Sequence, residues 1–214
     1  HPASDPSPRQ PLPHPDRPRS LTVRPPAVVL GAFRESAQQY RTLPELAASL
    51  ERSVRRHLSE LTRIAPDSSE RFITALLIEL PDDEEIASVV SCGHPPPLLH
   101  QGSRLTLLPV TQPAPPLGLS ADTPHAFCLD TVAFGPGDTL LLYTDGLAEA
   151  RDSAGRFFPV LERAETWTWD CPSRLVQHIS VDVDRHAGKN LQDDLALVAV
   201  HHPTHPAHSE QAPP

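Results

Sequence analysis

The spacing of leucine and valine changes partway along this chain, and the change sets its fold class. Leu46, Leu50, Val54, Leu58 and Leu61 recur at intervals of three and four, which makes one stripe of an amphipathic helix. Thr42 and Glu45 stand just ahead of it as a capping box: Thr42 can accept an early backbone N–H and Glu45 can reach back to the cap. Glu51 and Arg55 on this helix have the i, i+4 spacing of a surface ion pair. From Phe72 to Leu80 the apolar residues run almost without a break, and a helical stripe gives way to a buried strand. The polar turn Pro81-Asp82-Asp83-Glu84-Glu85 and the apolar run Ile86 to Cys92 complete a hairpin.

The same reading extends in both directions. Ala27 to Gln39 is helical, with Val28, Val29, Leu30, Phe33 and Ala37 on its apolar face. Leu98 to His100, the turn Gln101-Gly102-Ser103 and Leu105 to Leu108 form a second hairpin. Phe127 to Phe134 is extended, Gly135-Pro136-Gly137-Asp138 is a turn, and Thr139 to Tyr143 is a strand. Leu161 to Trp169 and Ser173 to His186 are helical, with Gly188 as a stop, and Leu195 to Val200 is the last strand. Helices, then hairpin-linked strands, then helices and a strand predict an α+β layered domain.

Proline bounds that domain. Of 27 prolines in 214 residues, nine fall in the first 26 positions and four in the last fourteen. Such ends lack backbone donors and apolar side chains. Residues 1–26 and the His/Pro-rich tail 202–214 are therefore expected to be disordered, leaving 27–201 to fold.

A formal charge of −9 argues against nucleic acid or an anionic membrane as the main partner. The basic stretch Arg52 to Arg56 reads as a solvated helix face. No apolar run approaches the roughly 20 residues of a membrane span, and the N-terminus has no signal-peptide pattern. Three widely spaced cysteines, Cys92, Cys128 and Cys171, suggest reduced thiols and a cytoplasmic setting. Cys128 and Cys171 lack a basic activating pattern and read as ordinary thiols. Trp167 and Trp169 either cap the core or face a partner.

The chemistry concentrates in "GPGDTLLLYTDGLAEARD". A buried strand here runs straight into Asp145-Gly146. Glycine permits a sharp turn or a close approach to the backbone, so Asp145 alone reads as a turn or helix cap. Asp193-Asp194 stands at the start of the last strand, so two strands carry carboxylates at an end. Carboxylates converging from rigid strands are how Mg²⁺ or Mn²⁺ is held. An exposed acidic loop is the plainer reading of Asp193-Asp194 by itself.

Five segments in order, "RFITALLIEL", "SCGHPPPLL", "PPLGL", "GPGDTLLLYTDGLAEARD" and "LQDDLALVAV", resemble the PPM-type (protein phosphatase 2C-like) serine/threonine phosphatases in their SpoIIE-like bacterial branch. The resemblance covers approximately Ala27 to Val200. It implies a layered α-β-β-α fold with a central antiparallel β-sandwich flanked by helices. It also implies two Mn²⁺ or Mg²⁺ ions that activate a water for in-line attack on phosphoserine or phosphothreonine. The implied substrate is a phosphorylated regulatory protein, in this branch often an anti-sigma-factor antagonist.

By the same resemblance Asp145 and Asp193 are metal ligands, and Gly146 offers a backbone carbonyl. Asp194 occupies the neighbouring position, and Gly93 and His94 match a motif at the sheet edge, where His94 reads as a structural hydrogen-bonding residue. No side chain is assigned a catalytic role of its own. The family's N-terminal hairpin with a Gly-Gly-Asp-type motif has no counterpart here, since Asp5 and Asp16 are the only carboxylates before Ala27. The domain is thus expected to be N-terminally incomplete, with at least one ion weak or lost. A catalytically inactive module that docks a regulatory partner is the alternative reading.

Overall fold

The computed structural model describes residues 25–64, 72–188 and 194–204. Asp193, residues 1–24 and residues 205–214 lie outside it, and so do the expectations that rest on them. The described chain forms four layers. Helices α1 (Pro25–Ser36) and α2 (Leu43–Ile64) cover an antiparallel sheet of β1 (Ala75–Glu79), β2 (Ile86–Cys92) and β5 (Asp130–Ala133), in the order β1-β2-β5. The second antiparallel sheet, ordered β4-β3-β6-β7, holds β3 (Leu98–Gln101), β4 (Arg104–Leu107), β6 (Thr139–Tyr143) and β7 (Leu197–His201). The short helices α3 (Asp145–Ala148) and α4 (Val160–Ala164) and the longer α5 (Pro172–Ala187) follow β6, and α5 packs on the second sheet. The α-β-β-α sandwich expected from the sequence is the fold observed.

Three apolar interfaces hold the layers. Leu46, Leu50 and Val54 of α2 meet Leu77, Val90 and Cys92 of the first sheet. Ala87, Val89, Leu99 and Leu140 fill the space between the sheets. Leu141 and Tyr143 meet Leu175, Ile179 and Val183 of α5. Alternate residues of β2 and β6 serve different interfaces, which is why both strands read as unbroken apolar runs. The capping box forms as predicted: Thr42 N–H donates to Glu45 Oε2 at 3.3 Å, and Glu45 N–H to Thr42 Oγ1 at 3.4 Å. The Gly-Pro-Gly-Asp turn closes through Asp138, whose Oδ2 accepts from Gly135 N at 2.9 Å and from Gln101 Nε2 at 2.8 Å.

Several expectations need correction. Phe72 to Leu80 is not a buried strand. It is β1, an edge strand among the described residues, with only Leu77 buried and Phe72 52% exposed. α1 packs Val29 and Ala32 against the core and leaves Leu30 59% exposed. The helix expected at Leu161 to Trp169 ends at Ala164, and both tryptophans go into the core, with Trp167 Nε1 donating to Asp182 and Trp169 Nε1 to the Ala164 carbonyl.

Glu51 does not pair outward with Arg55. Its side chain is fully buried, and Oε2 accepts from Gly118 N at 2.6 Å. Glu51 lies four residues after Ala47 and three before Val54, so it falls on the helix's core-facing stripe.

Cys171 is not an ordinary thiol. It precedes the first turn of α5 beside Ser173 and Arg174, whose hydrogen bonds lower its pKa to about 7.

Candidate functional site

The predicted carboxylate turn sits where β6 ends, and Thr144 ties it to the start of β7. Thr144 Oγ1 donates to the Asp194 carbonyl at 3.0 Å and accepts from Ala196 N at 3.0 Å. Thr144 N in turn donates to the Ala196 carbonyl at 3.1 Å. One residue therefore makes three hydrogen bonds that clamp two strand ends fifty positions apart in sequence. Sequence reading passed over Thr144. Its signal was a hydroxyl at the point where a buried strand turns into Asp-Gly.

Asp145 begins α3. Its backbone carbonyl accepts from Glu149 N at 2.8 Å, and its Oδ1 accepts from Gly146 N at 3.0 Å. The turn-and-cap reading of Asp145 is thus part of its structure and leaves the second carboxylate oxygen for other work. Gly146 is buried against the other strand: a Cβ placed there would lie 2.7 Å from the Asp194 carbonyl oxygen and 3.1 Å from its carbon. The structure therefore brings Asp145, Gly146 and the backbone of Asp194 together. Asp193, one residue upstream, lies outside the described residues.

His94 reaches the same turn from the other sheet. It follows Gly93, whose φ of 67° and close approach to the Pro116 ring leave no room for a side chain. Ser91 Oγ donates to the His94 carbonyl at 3.4 Å, so the serine hydroxyl faces backbone and not the imidazole. The ring is partly buried, and its Nδ1 is buried with no hydrogen-bond partner. Burial pushes the imidazole below its ordinary pKa, while the Asp145 charge and the Tyr143 carbonyl oppose that shift. His94, Tyr143, Thr144 and Ala196 line an apolar cavity of about 360 Å³ together with Leu30 and Phe33 of α1.

Carboxylate and carbonyl oxygens are the donors that Mg²⁺ and Mn²⁺ take, and this turn presents both types, so the donor chemistry fits. Among the described residues, no three His, Cys, Asp or Glu side chains converge on one point. No helix among them is long and apolar enough to cross a membrane.

Residues 26–203 match the family described as stage II sporulation protein E (SpoIIE). No curated protein matches the chain. Among solved structures, the phosphatase domain of the cell fate determinant SpoIIE from Bacillus subtilis, presoaked with manganese, superposes with a TM-score of 0.52 at 12% identity, covering 77% of this chain and 76% of that one. The PP2C domain of SiaA from Pseudomonas aeruginosa gives 0.59 at 14% identity, covering 83% and 67%. The RsbU and RsbW domains of a Mycobacterium tuberculosis protein give 0.57 at 21% identity, covering 83% of this chain and 47% of that one. At these identities the solved structures speak for the fold, and the family match over most of the chain speaks for descent. With its layered sandwich, its Asp-Gly turn clamped to the last strand and this match, the chain belongs to the SpoIIE family of PP2C-type phosphatase domains.

Proposed function

We propose that the chain is a metal-dependent protein serine/threonine phosphatase domain acting on a phosphorylated regulatory protein, with an anti-sigma-factor antagonist as the substrate class its branch favours. The observation that carries the reading is the clamp between the Asp145 turn and the start of β7. Asp145 and Asp193 would hold Mn²⁺ or Mg²⁺ through their carboxylates and Gly146 through its carbonyl, with Asp194 beside them. When bound, the ions supply a Lewis acid for the phosphoryl oxygens and lower the pKa of water. The chain's part is positional: β6 fixes Asp145, which stays exposed to solvent, and Thr144 fixes the approach of β7. Because fewer than three ligating side chains converge among the described residues, a full pair of ions needs further donors.

The test is Mn²⁺-dependent phosphate release from a phosphoserine protein substrate. It is run on the chain as it stands and on the chain with a relative's N-terminal strand hairpin supplied. We expect weak release from the first, strong release from the second, and loss of both with Asp145→Asn or Asp193→Asn. Silence in the supplemented chain would overturn the enzyme reading and leave a docking module.

A further inference from the structure

We infer that His94 is a positioning residue whose imidazole holds the Asp145 turn in the orientation that takes a divalent cation. The inference rests on the metal reading of Asp145 given above. Four observations carry it. The His94 backbone is fixed on both sides, by the Gly93 kink packed on Pro116 and by the hydrogen bond from Ser91 to its carbonyl. His94 follows β2's end in one sheet and lines the same cavity as Tyr143 and Thr144 at β6's end in the other, next to Asp145. Its Nδ1 is buried and unpartnered, although a buried ring nitrogen without a partner costs free energy. Tyr143, Thr144, Ala196 and Leu142, which line the cavity with it, make or flank the clamp between β6 and β7.

A packing role would be met by any apolar ring of similar size. A positioning role needs a polar edge, because a neutral imidazole orients a carbonyl or carboxylate through its N–H. Groups that orient metal ligands in this way typically change metal affinity by about 10–100-fold when removed. Glutamine keeps a donor near the same place, while phenylalanine keeps the ring and loses it.

The experiment measures Mn²⁺ affinity of the full chain by electron paramagnetic resonance of the free ion, with no substrate present. It compares the parent, His94→Gln, His94→Phe and Asp145→Asn, and records a metal-free melting curve for each. We expect His94→Phe to weaken Mn²⁺ binding about 10-fold or more while melting close to the parent, and His94→Gln to recover most of the affinity. Equal affinity for His94→Phe and the parent would overturn the positioning role, as would a loss in His94→Gln as large as in His94→Phe. If His94→Phe fails to fold, His94→Gln decides alone: near-parental affinity supports the inference and a large loss overturns it. Asp145→Asn separates the two readings. Should it too bind Mn²⁺ like the parent, or should the parent bind none, the metal site itself is refuted. A loss in Asp145→Asn with none in His94→Phe refutes only the role of His94.

Discussion

Replacing Gly146 by alanine tests the clamp at its tightest contact. In a short helix such as α3, Gly→Ala ordinarily stabilises by about 0.5–1 kcal/mol, because alanine loses less backbone freedom on folding. Here the new methyl would sit 2.7 Å from the Asp194 carbonyl oxygen and 3.1 Å from its carbon. Both atoms are backbone, so no side-chain rotation relieves the clash. Restoring ordinary contact needs a separation of roughly 0.7 Å. That movement would stretch the 3.0 Å bond from Thr144 Oγ1 to the Asp194 carbonyl beyond hydrogen-bonding distance. Overpacking costs about 1–3 kcal/mol, and the lost bond adds about 1 kcal/mol. Set against the helix gain, the expected result is a net destabilisation of about 1–3.5 kcal/mol, or roughly 2–14 °C in Tm for a domain of this size. Urea denaturation and thermal melts measure it, and amide hydrogen exchange at Ala196 localises it. A variant as stable as the parent, with the Ala196 amide equally protected, would show that the two strand ends are not held as described.

Two further outcomes follow from buried and activated groups. Burial raises the Glu51 carboxyl above its ordinary pKa, against the pull of Gly118 N and Arg55, so folding favours its protonated form. Its contribution to stability is fullest below the unfolded value and is lost as pH rises through the raised folded value. Glu51→Gln should remove that part of the pH slope in urea midpoints above about pH 4, and an unchanged slope would contradict the assignment. Cys171, lowered to about 7 by Ser173 and Arg174, should alkylate with iodoacetamide at neutral pH faster than Cys92, which burial raises to about 12. Arg174→Ala should slow it, and peptide mass spectrometry reads both rates.

The parts of the fold that were legible in sequence are those where a single interface decides the pattern. The stripe of α2 faces one sheet, and its spacing declares it. The runs of β2 and β6 face apolar layers on both sides, so period two disappears and burial is read directly. Where the expectation failed, composition was right and context was missing. β1 carries Leu76, Leu77 and Ile78 yet lies at an edge among the described residues, and its position in the sheet depends on strand order, which apolarity does not encode. Arg55 at i+4 suggests a surface pair for Glu51, whereas its own spacing from Ala47 and Val54 is the better signal. At the site, Asp145 and Gly146 were legible because a strand ending in Asp-Gly is locally unusual. Thr144 was not, because its three bonds are to a segment fifty residues away.

That long-range clamp explains why the carboxylate turn belongs at this end of the sandwich. β6 is an inner strand of the second sheet, paired with β3 on one side and β7 on the other, and it is buried on both faces. Asp145 therefore leaves a segment whose position is set by two ladders and two apolar layers. β7 has no such support: it is an edge among the described residues, and Val198 on it is 54% exposed. Left to its own pairing, the start of β7 would fray, since an edge strand's terminal bonds open at little cost. Thr144 counters this by adding hydrogen bonds to the Asp194 carbonyl and the Ala196 amide where the ladder ends. The free energy that fixes the Asp194 approach to β7 thus comes from β6, and any change that loosens Thr144 should disorder the Asp194 backbone before it disturbs Asp145.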